Sequence, residues 1–332
     1  MENKKILTIS VAAYNLENYI EQNLKTLTNT KYNDLLEIIV TDDGSKDKTT
    51  EIVQQYVNKF PNTVKLIKQK NAGPGSTVNS GIKNASGKYF KMIDGDDWVE
   101  SDQLEILLDK LINIDLDMVI TNYETFDNSK NQIIKLNKPN NISKDIIYNF
   151  EQIAKTLSLD MHNVLYKTEI LKNNNITLDN GFYTDVEYLL LPAIYIKNVV
   201  YYDLNIYVYR VSRIGQSVSL ESSRKHLDMH DLVLNRLINY YNDNKKLKNV
   251  NIMEYIKNRI AVMADSQLTT LLSFKMDKNQ KNKIKEYNKE LKEKSIDIYI
   301  KYKEGKKVKL LIYSNYLLIG IISKIIIKKF ST

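Results

Sequence analysis

The 332-residue chain reads as an α/β protein whose central sheet is mainly parallel and covered by helices on both faces. Three observations predict this. Four short apolar runs of strand length alternate with stretches whose apolar residues recur at helical spacing, and strand–helix alternation is the pattern of parallel sheets. The runs are nearly continuous in their apolar character, as strands buried on both faces are. Asp42, Asp43, Asn71, Asp94 and Asp96 fall where those runs end, and sheets of this kind bind ligands beyond the C-terminal ends of their strands.

ILTISVA, residues 6–12, is the first strand, and LENYIEQNLKTLTN follows as a helix with Ile20, Leu24 and Leu27 on one face. LEIIVTDDGS is a second buried strand ending in a carboxylate turn. The next stretch, KTTEIVQQYVNKF, sets Val53, Tyr56, Val57 and Phe60 at helical spacing. VKLIKQ is the third strand. NAGPGSTVNSGIKNASG is a glycine-interrupted turn that runs into a helix, and YFKMI is the fourth strand, leading into DGDDW. Residues 104–123 give a helix and the start of a further strand, DMVITNYE. The segment 126–157 is polar and irregular. DMHNVLYKTEIL and GFYTDVEYLLLPAIYI are expected to hold two helical pieces, VVYYDLNIYVYRVS is strand-rich, and from residue 221 the patterns are helical, with no internal repeat.

With no Cys in the chain, thiolate metal sites, disulfide scaffolds and thiol nucleophiles are excluded. Three His residues leave a metal to carboxylate oxygens, and hence to a hard cation, Mg²⁺ or Mn²⁺. The opening MENKKILTISVAAYNL is too short and strand-like in its apolar part for a signal peptide, which places the N-terminus in the cytoplasm. A formal charge of +8 invites a nucleic-acid partner. Much of the excess lysine, however, sits in residues 278–309, just before the apolar run 310–330. Lysines beside an apolar segment suit the anionic inner face of a membrane. Residues 310–327 are expected to form an interfacial helix there, or else an assembly surface between copies of the chain.

The chemistry-bearing groups cluster in four places. Asp94 and Asp96 flank Gly95, so that alternate residues of an extended chain point two carboxylates one way while the glycine admits a ligand close to the backbone. Such a pair can hold a cation that bridges two phosphates; Asp97 and Trp98 follow directly. Asp42 and Asp43 end the second strand, where a carboxylate can accept from a base or a ribose. QKNAGPGSTVNSGI has glycines for close approach but matches neither a dinucleotide fingerprint nor a phosphate-binding loop. Asp185, opening an apolar helix in FYTDVEYLLL, is either a helix cap or a general base. Glu187 is a weaker alternative. His162 is a candidate lining of an acceptor cleft, and His226 and His230 stand at i, i+4 spacing. Arg210 and Arg213 in YRVSRIGQSVS are placed to close over a diphosphate.

SVAAYNLENYI, VTDDGSKDKT, NAGPGSTVNSGIKNASGKYFKMIDGDDW and FYTDVEYLLL, in this order and spacing, resemble the inverting glycosyltransferases of family 2 over residues 5–218. The resemblance implies a nucleotide-sugar-binding fold of the GT-A type, with a mostly parallel central sheet. Within it, Ala13, Tyr14 and Asp42 hold the uridine side of a UDP-sugar, Asn71 is a further nucleotide-sugar contact, Asp94 and Asp96 hold ribose and metal-diphosphate with the metal on Asp96, and Arg210 to Ser217 cover the diphosphate. Asp185 is the base, with Thr184 in place of the family's common Glu, and Asp97, Trp98, His162 and Glu187 are possible acceptor or sugar contacts. The chain departs from the family pattern at Ala13, where Pro is frequent, and at Val78, where Arg is.

The resemblance further implies a single-sugar transferase, because the Gln-x-x-Arg-Trp element of processive synthases is absent. Its acceptor is a lipid-linked glycan or a cell-surface polymer, as in capsule, exopolysaccharide or teichoic-acid assembly, or else a protein; the lysine-rich, apolar tail places the enzyme peripherally on the inner membrane face. The expected organisation is a catalytic domain over 1–220, with a nucleotide-sugar half 1–125 and an acceptor half 126–220, then a helical extension 221–304 and a basic, apolar tail 305–332. A nucleotidyltransferase and a catalytically silent sugar-binding or scaffold protein are the alternatives.

Overall fold

In the computed structural model, which describes residues 4–213, 219–246 and 248–330, the chain divides into two units, Met1–Ile214 and Gly215–Thr332. The first opens with the alternation read from the sequence. Its elements are Leu7–Ala13 (β1), Ile20–Thr28 (α1), Leu36–Asp42 (β2), Thr49–Lys59 (α2), Val64–Lys68 (β3), Pro74–Asn84 (α3) and Tyr89–Asp94 (β4). It continues with Trp98–Val99 (β5), Ser101–Ile112 (α4), Met118–Asp127 (β6), Gln132–Asn137 (β7), Ile147–Asn149 (β8) and Phe150–Ile153 (α5). Val164–Lys167 (β9), Thr168–Asn173 (α6), Thr184–Leu190 (α7) and Asn198–Val211 (β10) complete it. Leu7, Ile9, Val11, Ile38 and Val40 have no exposed surface, and neither have Ile20, Leu24 and Leu27 of α1. An apolar helix stripe thus meets strands that are apolar throughout.

The mostly parallel GT-A type sheet expected from the sequence is not what forms. The strands join in the order β3-β2-β1-β4-β9-β6-β10-β5, with β7 on β6 and β8 on β10. Pairing is parallel for β2–β3, β1–β2, β1–β4 and β6–β10. It is antiparallel for β4–β9, β6–β9, β6–β7, β5–β10 and β8–β10. The sheet is therefore mixed. Parallel pairing needs a crossover of a dozen or more residues, and the helices α1, α2 and α3 supply it for the first strands. Four residues separate β6 from β7, which permits only a hairpin, and β9 enters between β4 and β6 against the direction of both. Two local readings change with it: DMHNVLYKTEIL holds strand β9 before its helix, and the polar segment 126–157 contains β7, β8 and α5.

The second unit is helical: Leu220–Lys225 (α8), Leu227–Asn244 (α9), Val250–Leu272 (α10), Lys278–Lys294 (α11), Ile296–Tyr302 (α12), Lys306–Tyr313 (α13) and Ile319–Phe330 (α14). Ile256, Ile260, Ala264, Leu268 and Leu272 of α10 are buried along its length, and α9, α11, α12 and α14 pack on it. The expected single helix over 310–327 is broken between α13 and α14, where Asn315 and Tyr316 adopt left-handed φ of 45° and 65°. Val308, Leu311, Ile319, Ile322 and Ile326 turn inward, while Tyr313 and Leu317 are 80% and 85% exposed. Among the described residues, no helix is long and apolar enough to cross a membrane.

Candidate functional site

Parallel register brings the motif ends to one edge of the sheet. Ala13 pairs with Asp42 across β1 and β2, and Ala12 pairs with Asp94 across β1 and β4. Beyond β4 the chain turns sharply through Gly95, whose N–H donates to Ala12 O at 3.0 Å. A Cβ there would stand 2.7 Å from the same oxygen and 2.8 Å from Leu16 Cδ1. Only glycine passes, so the spacing of the two carboxylates depends on it.

The acidic turn is held from beneath by residues distant in sequence. Asp97, 1% exposed, accepts from the Tyr207 hydroxyl and, at 2.8 Å, from Arg210 N–H. Asn23 of α1 donates its amide to Asp97 O at 2.9 Å and to Asp94 O at 3.3 Å. The Arg210 guanidinium, also buried, donates to Asp96 O at 2.8 Å and stands 4.6 Å from the Trp98 ring centroid. Trp98 is itself 8% exposed and edge-on to Phe126 at 5.0 Å. Asp97, Trp98 and Arg210 thus form the turn's foundation, while the Asp96 carboxylate accepts from Arg213.

Electrostatics draw Asp185 into the same group. The Asp94 pKa is raised to about 7, first by burial and then by the charges of Asp96 and Asp185, against Arg213. Asp97 is raised well above the usual carboxylate range by burial, then by Asp96 and Asp94. Asp185 lies exposed in the first turn of α7. The Asp94 carboxyl thus feels the charges of Asp96, on the turn after β4, and of Asp185, on α7, and like charges disfavour its ionised form.

The remaining predicted residues are placed as follows. Tyr14 is 48% exposed and Ala13 buried. Asp42 is buried, accepting from Ser45 N–H at 2.9 Å and from the Thr50 hydroxyl. Asn71 lies exposed on a loop that Asp43 holds, accepting from Gln69 Nε2, Ala72 N–H and Gly73 N–H at 2.8, 2.9 and 2.9 Å. His162 sits among Tyr123, Tyr207 and Tyr209, with ring centroids 4.5–4.7 Å away. Burial lowers its pKa to about 3, keeping the ring neutral. Glu187 has no exposed surface and accepts from Asp179 N–H at 2.5 Å. Ser217 lies outside the described residues. His226 and His230 do not face one ligand: the first meets Ser222 Oγ at 3.2 Å, the second Gln267 Oε1 at 2.6 Å. Among the described residues no cluster of three or more His, Asp or Glu side chains is arranged to hold a metal.

Sequence reasoning missed Asn23, Lys91 and Tyr207. The first two carried a signal, a polar residue inside an apolar pattern. Asn23 shares the buried face of α1 with Ile20, Leu24 and Leu27. Lys91 interrupts YFKMI, has no exposed surface, and donates to His162 O at 2.7 Å. Burial lowers its pKa to about 7. Tyr207 carried none.

The parallel half of the mixed sheet gathers acidic strand ends at one edge, and Asp185 opens a later helix. The chain belongs to glycosyl transferase family 2, whose model matches residues 8–174, half of its length. It is similar to the glycosyltransferase GlyA of Streptococcus pneumoniae, 27% identical over 220 residues, covering 62% of this chain and 31% of that protein. It is also similar to EpsH of Bacillus subtilis, 40% identical over 117 residues, covering 35% and 33%. The matches thus span about a third of the length of these relatives. Its fold is shared with S. aureus TarS 1-349, solved in complex with UDP-GlcNAc, at a TM-score of 0.64 and 18% identity over 98% of this chain and 91% of that one.

Proposed function

We propose that this chain is an inverting glycosyltransferase that moves a single sugar from a UDP-sugar to a hydroxyl of a lipid-linked glycan or cell-surface polymer. The observation that carries this is that Asp94, at a strand end of a family 2 chain, feels the charges of Asp96 on the following turn and of Asp185 on α7. A uridine diphosphate donor is supported by the fold shared with a protein solved with UDP-GlcNAc.

Asp185 takes the proton from the acceptor hydroxyl as that oxygen attacks the anomeric carbon from the face opposite the diphosphate. The sugar inverts. Ala13, Tyr14 and Asp42 bind the uridine side, Asn71 is a further contact to the nucleotide-sugar, and Asp94 binds the ribose. Arg213, which donates to Asp96 in the protein alone, is the cation that covers the diphosphate. The residues present fit a hard cation. Mg²⁺ is commonly bound by one or two carboxylates with substrate phosphates and water, so Asp96, with Asp94 beside it, suffices without a three-residue cluster. A cation held there would offset charge on the departing diphosphate.

The outward face of α13 and α14 supports a place at the inner membrane surface. Leu310, Tyr313, Leu317, Ile321 and Ile325 are half-exposed or more, and exposed Lys309, Lys324 and Lys328 stand on the same two helices. Apolar residues flanked by lysines fit an anionic leaflet, whereas two copies of this face would bring lysines together. The function is tested by UDP release from a panel of UDP-sugars with Mg²⁺ or Mn²⁺; a chain inert toward every member with both cations has another function.

A further inference from the structure

Asp185 lies exposed at the start of a short helix whose later residues are buried. α7 has seven residues, no side chain caps its start, and the residue before it, Tyr183, holds a left-handed φ of 71°. That conformation is strained for a bulky side chain. Segment 178–181, which leads into this start, is held from two sides. Asn79 of α3 spans the backbone of Leu178 with both ends of its amide: Nδ2 donates to Leu178 O and Oδ1 accepts from Leu178 N–H, each at 2.8 Å, across 99 residues of sequence. Gly75 N–H donates to Asn180 O at 3.0 Å. A Cβ on Gly75 would fall 1.7 Å from Asp179 O and 2.6 Å from Thr184 Cγ2, the side chain next to Asp185. From the other side, fully buried Glu187 reaches back from α7 to Asp179 N–H.

We propose that Asn79, Gly75 and Glu187 are positioning residues that hold segment 178–181, and through it Asp185, and that they tie the base to the nucleotide side of the site. The inference rests on Asp185 being the base. The tie runs through loop 69–73, which carries Asn71. Asp43 pins that loop at Gln69, Ala72 and Gly73. A Cβ on Gly73 would stand 2.2 Å from Asn180 O, so the loop and segment 178–181 touch backbone to backbone. A donor that settles the loop therefore also bears on the segment that leads into Asp185.

The test uses the full chain and the UDP-sugar that turns over fastest among UDP-glucose, UDP-galactose, UDP-N-acetylglucosamine and UDP-N-acetylgalactosamine. Asn79→Ala should lower kcat on the order of 10-fold to 100-fold, the scale of a misplaced reacting group, while donor KM and calorimetric UDP affinity change by less than about twofold. In an Asp185→Asn background the same change should lower kcat no further, because the two act as one unit. Glu187→Gln keeps an acceptor for Asp179 N–H and should retain most of the rate that Glu187→Ala loses. If Asn79→Ala does not fold, Asn79→Asp, which keeps the acceptor for Leu178 N–H and loses the donor, takes its place. Equal fold losses in both backgrounds, or full kcat in both Asn79→Ala and Glu187→Ala, overturn the proposal. An unimpaired Asp185→Asn instead overturns the base assignment, so the two failures are told apart.

Discussion

Arg210→Ala and Arg210→Lys probe how the acidic turn is supported. The guanidinium is 6% exposed and donates to Asp96 O at 2.8 Å, Asn128 Oδ1 at 2.8 Å and Gln22 Oε1 at 2.7 Å. Burial lowers its pKa from the usual arginine value, so these contacts offset a desolvation cost. Gln22 and Asn128 are exposed, and water can replace the guanidinium at both. The full losses in the Ala variant are the charge-assisted bond to Asp96 O, about 1.5–3 kcal/mol, and the cation–π contact on Trp98, about 2 kcal/mol. Removing a desolvated charge returns part of this, leaving roughly 3 kcal/mol. At about 2–4 °C per kcal/mol for a unit of this size, Tm should fall by roughly 6–12 °C. A lysine ammonium reaches one acceptor and cannot stack flat on Trp98, so Arg210→Lys should recover less than half of the loss. Thermal unfolding followed by near-UV circular dichroism, with UDP affinity by calorimetry, reads both effects. An Arg210→Lys chain melting within about 1 °C of the parent, far inside the shift expected here, would refute the idea that the planar fork holds the turn.

Asp96→Ala should abolish cation-dependent transfer and leave the fold intact, since the residue lies on a turn and not in the core; normal turnover at ordinary cation concentration contradicts its role. The raised Asp94 pKa sets a pH dependence. Its contribution to stability is full below the unfolded carboxylate value and is lost as pH rises through about 7. Binding of UDP with Mg²⁺ needs the ionised form and should strengthen over the same rise, which calorimetry at several pH values checks; affinity flat from about pH 6 to 8 would remove Asp94 from the site. Leu317→Glu with Ile321→Glu changes exposed positions only, and should abolish flotation with phosphatidylserine vesicles at unchanged Tm. Unchanged flotation defeats the membrane assignment, and a drop in solution mass marks an interface between copies instead.

The parallel half of the sheet was legible because β1, β2 and β4 are apolar nearly throughout and separated by amphipathic helices long enough for crossovers. The antiparallel half was not. β9 contributes four residues, VLYK, and so short an apolar run does not tell a strand from a turn of helix. β7 is exposed along Gln132–Leu136, and a strand with no buried face shows no alternation. Asp94, Asp96 and Asp185 could be picked out as carboxylates at strand or helix ends. What supports them could not, because Tyr207 lies 110 residues from Asp97 and Asn79 lies 99 from Leu178. Arg210 was legible as a cation near the site but not as one buried under the turn. Periodicity speaks to which face of an element is covered, and not to which distant polar group it meets.

Turnover by the Asp185→Asn chain tests the central claim most directly. With the preferred UDP-sugar and Mg²⁺ or Mn²⁺, UDP release should fall about 100-fold or more, the scale of general-base assistance, while calorimetric UDP affinity stays at the parent value. Release at the parent rate, or loss of UDP binding together with the rate, would contradict a carboxylate on α7 acting as the base at the sheet edge built by Asp94 and Asp96.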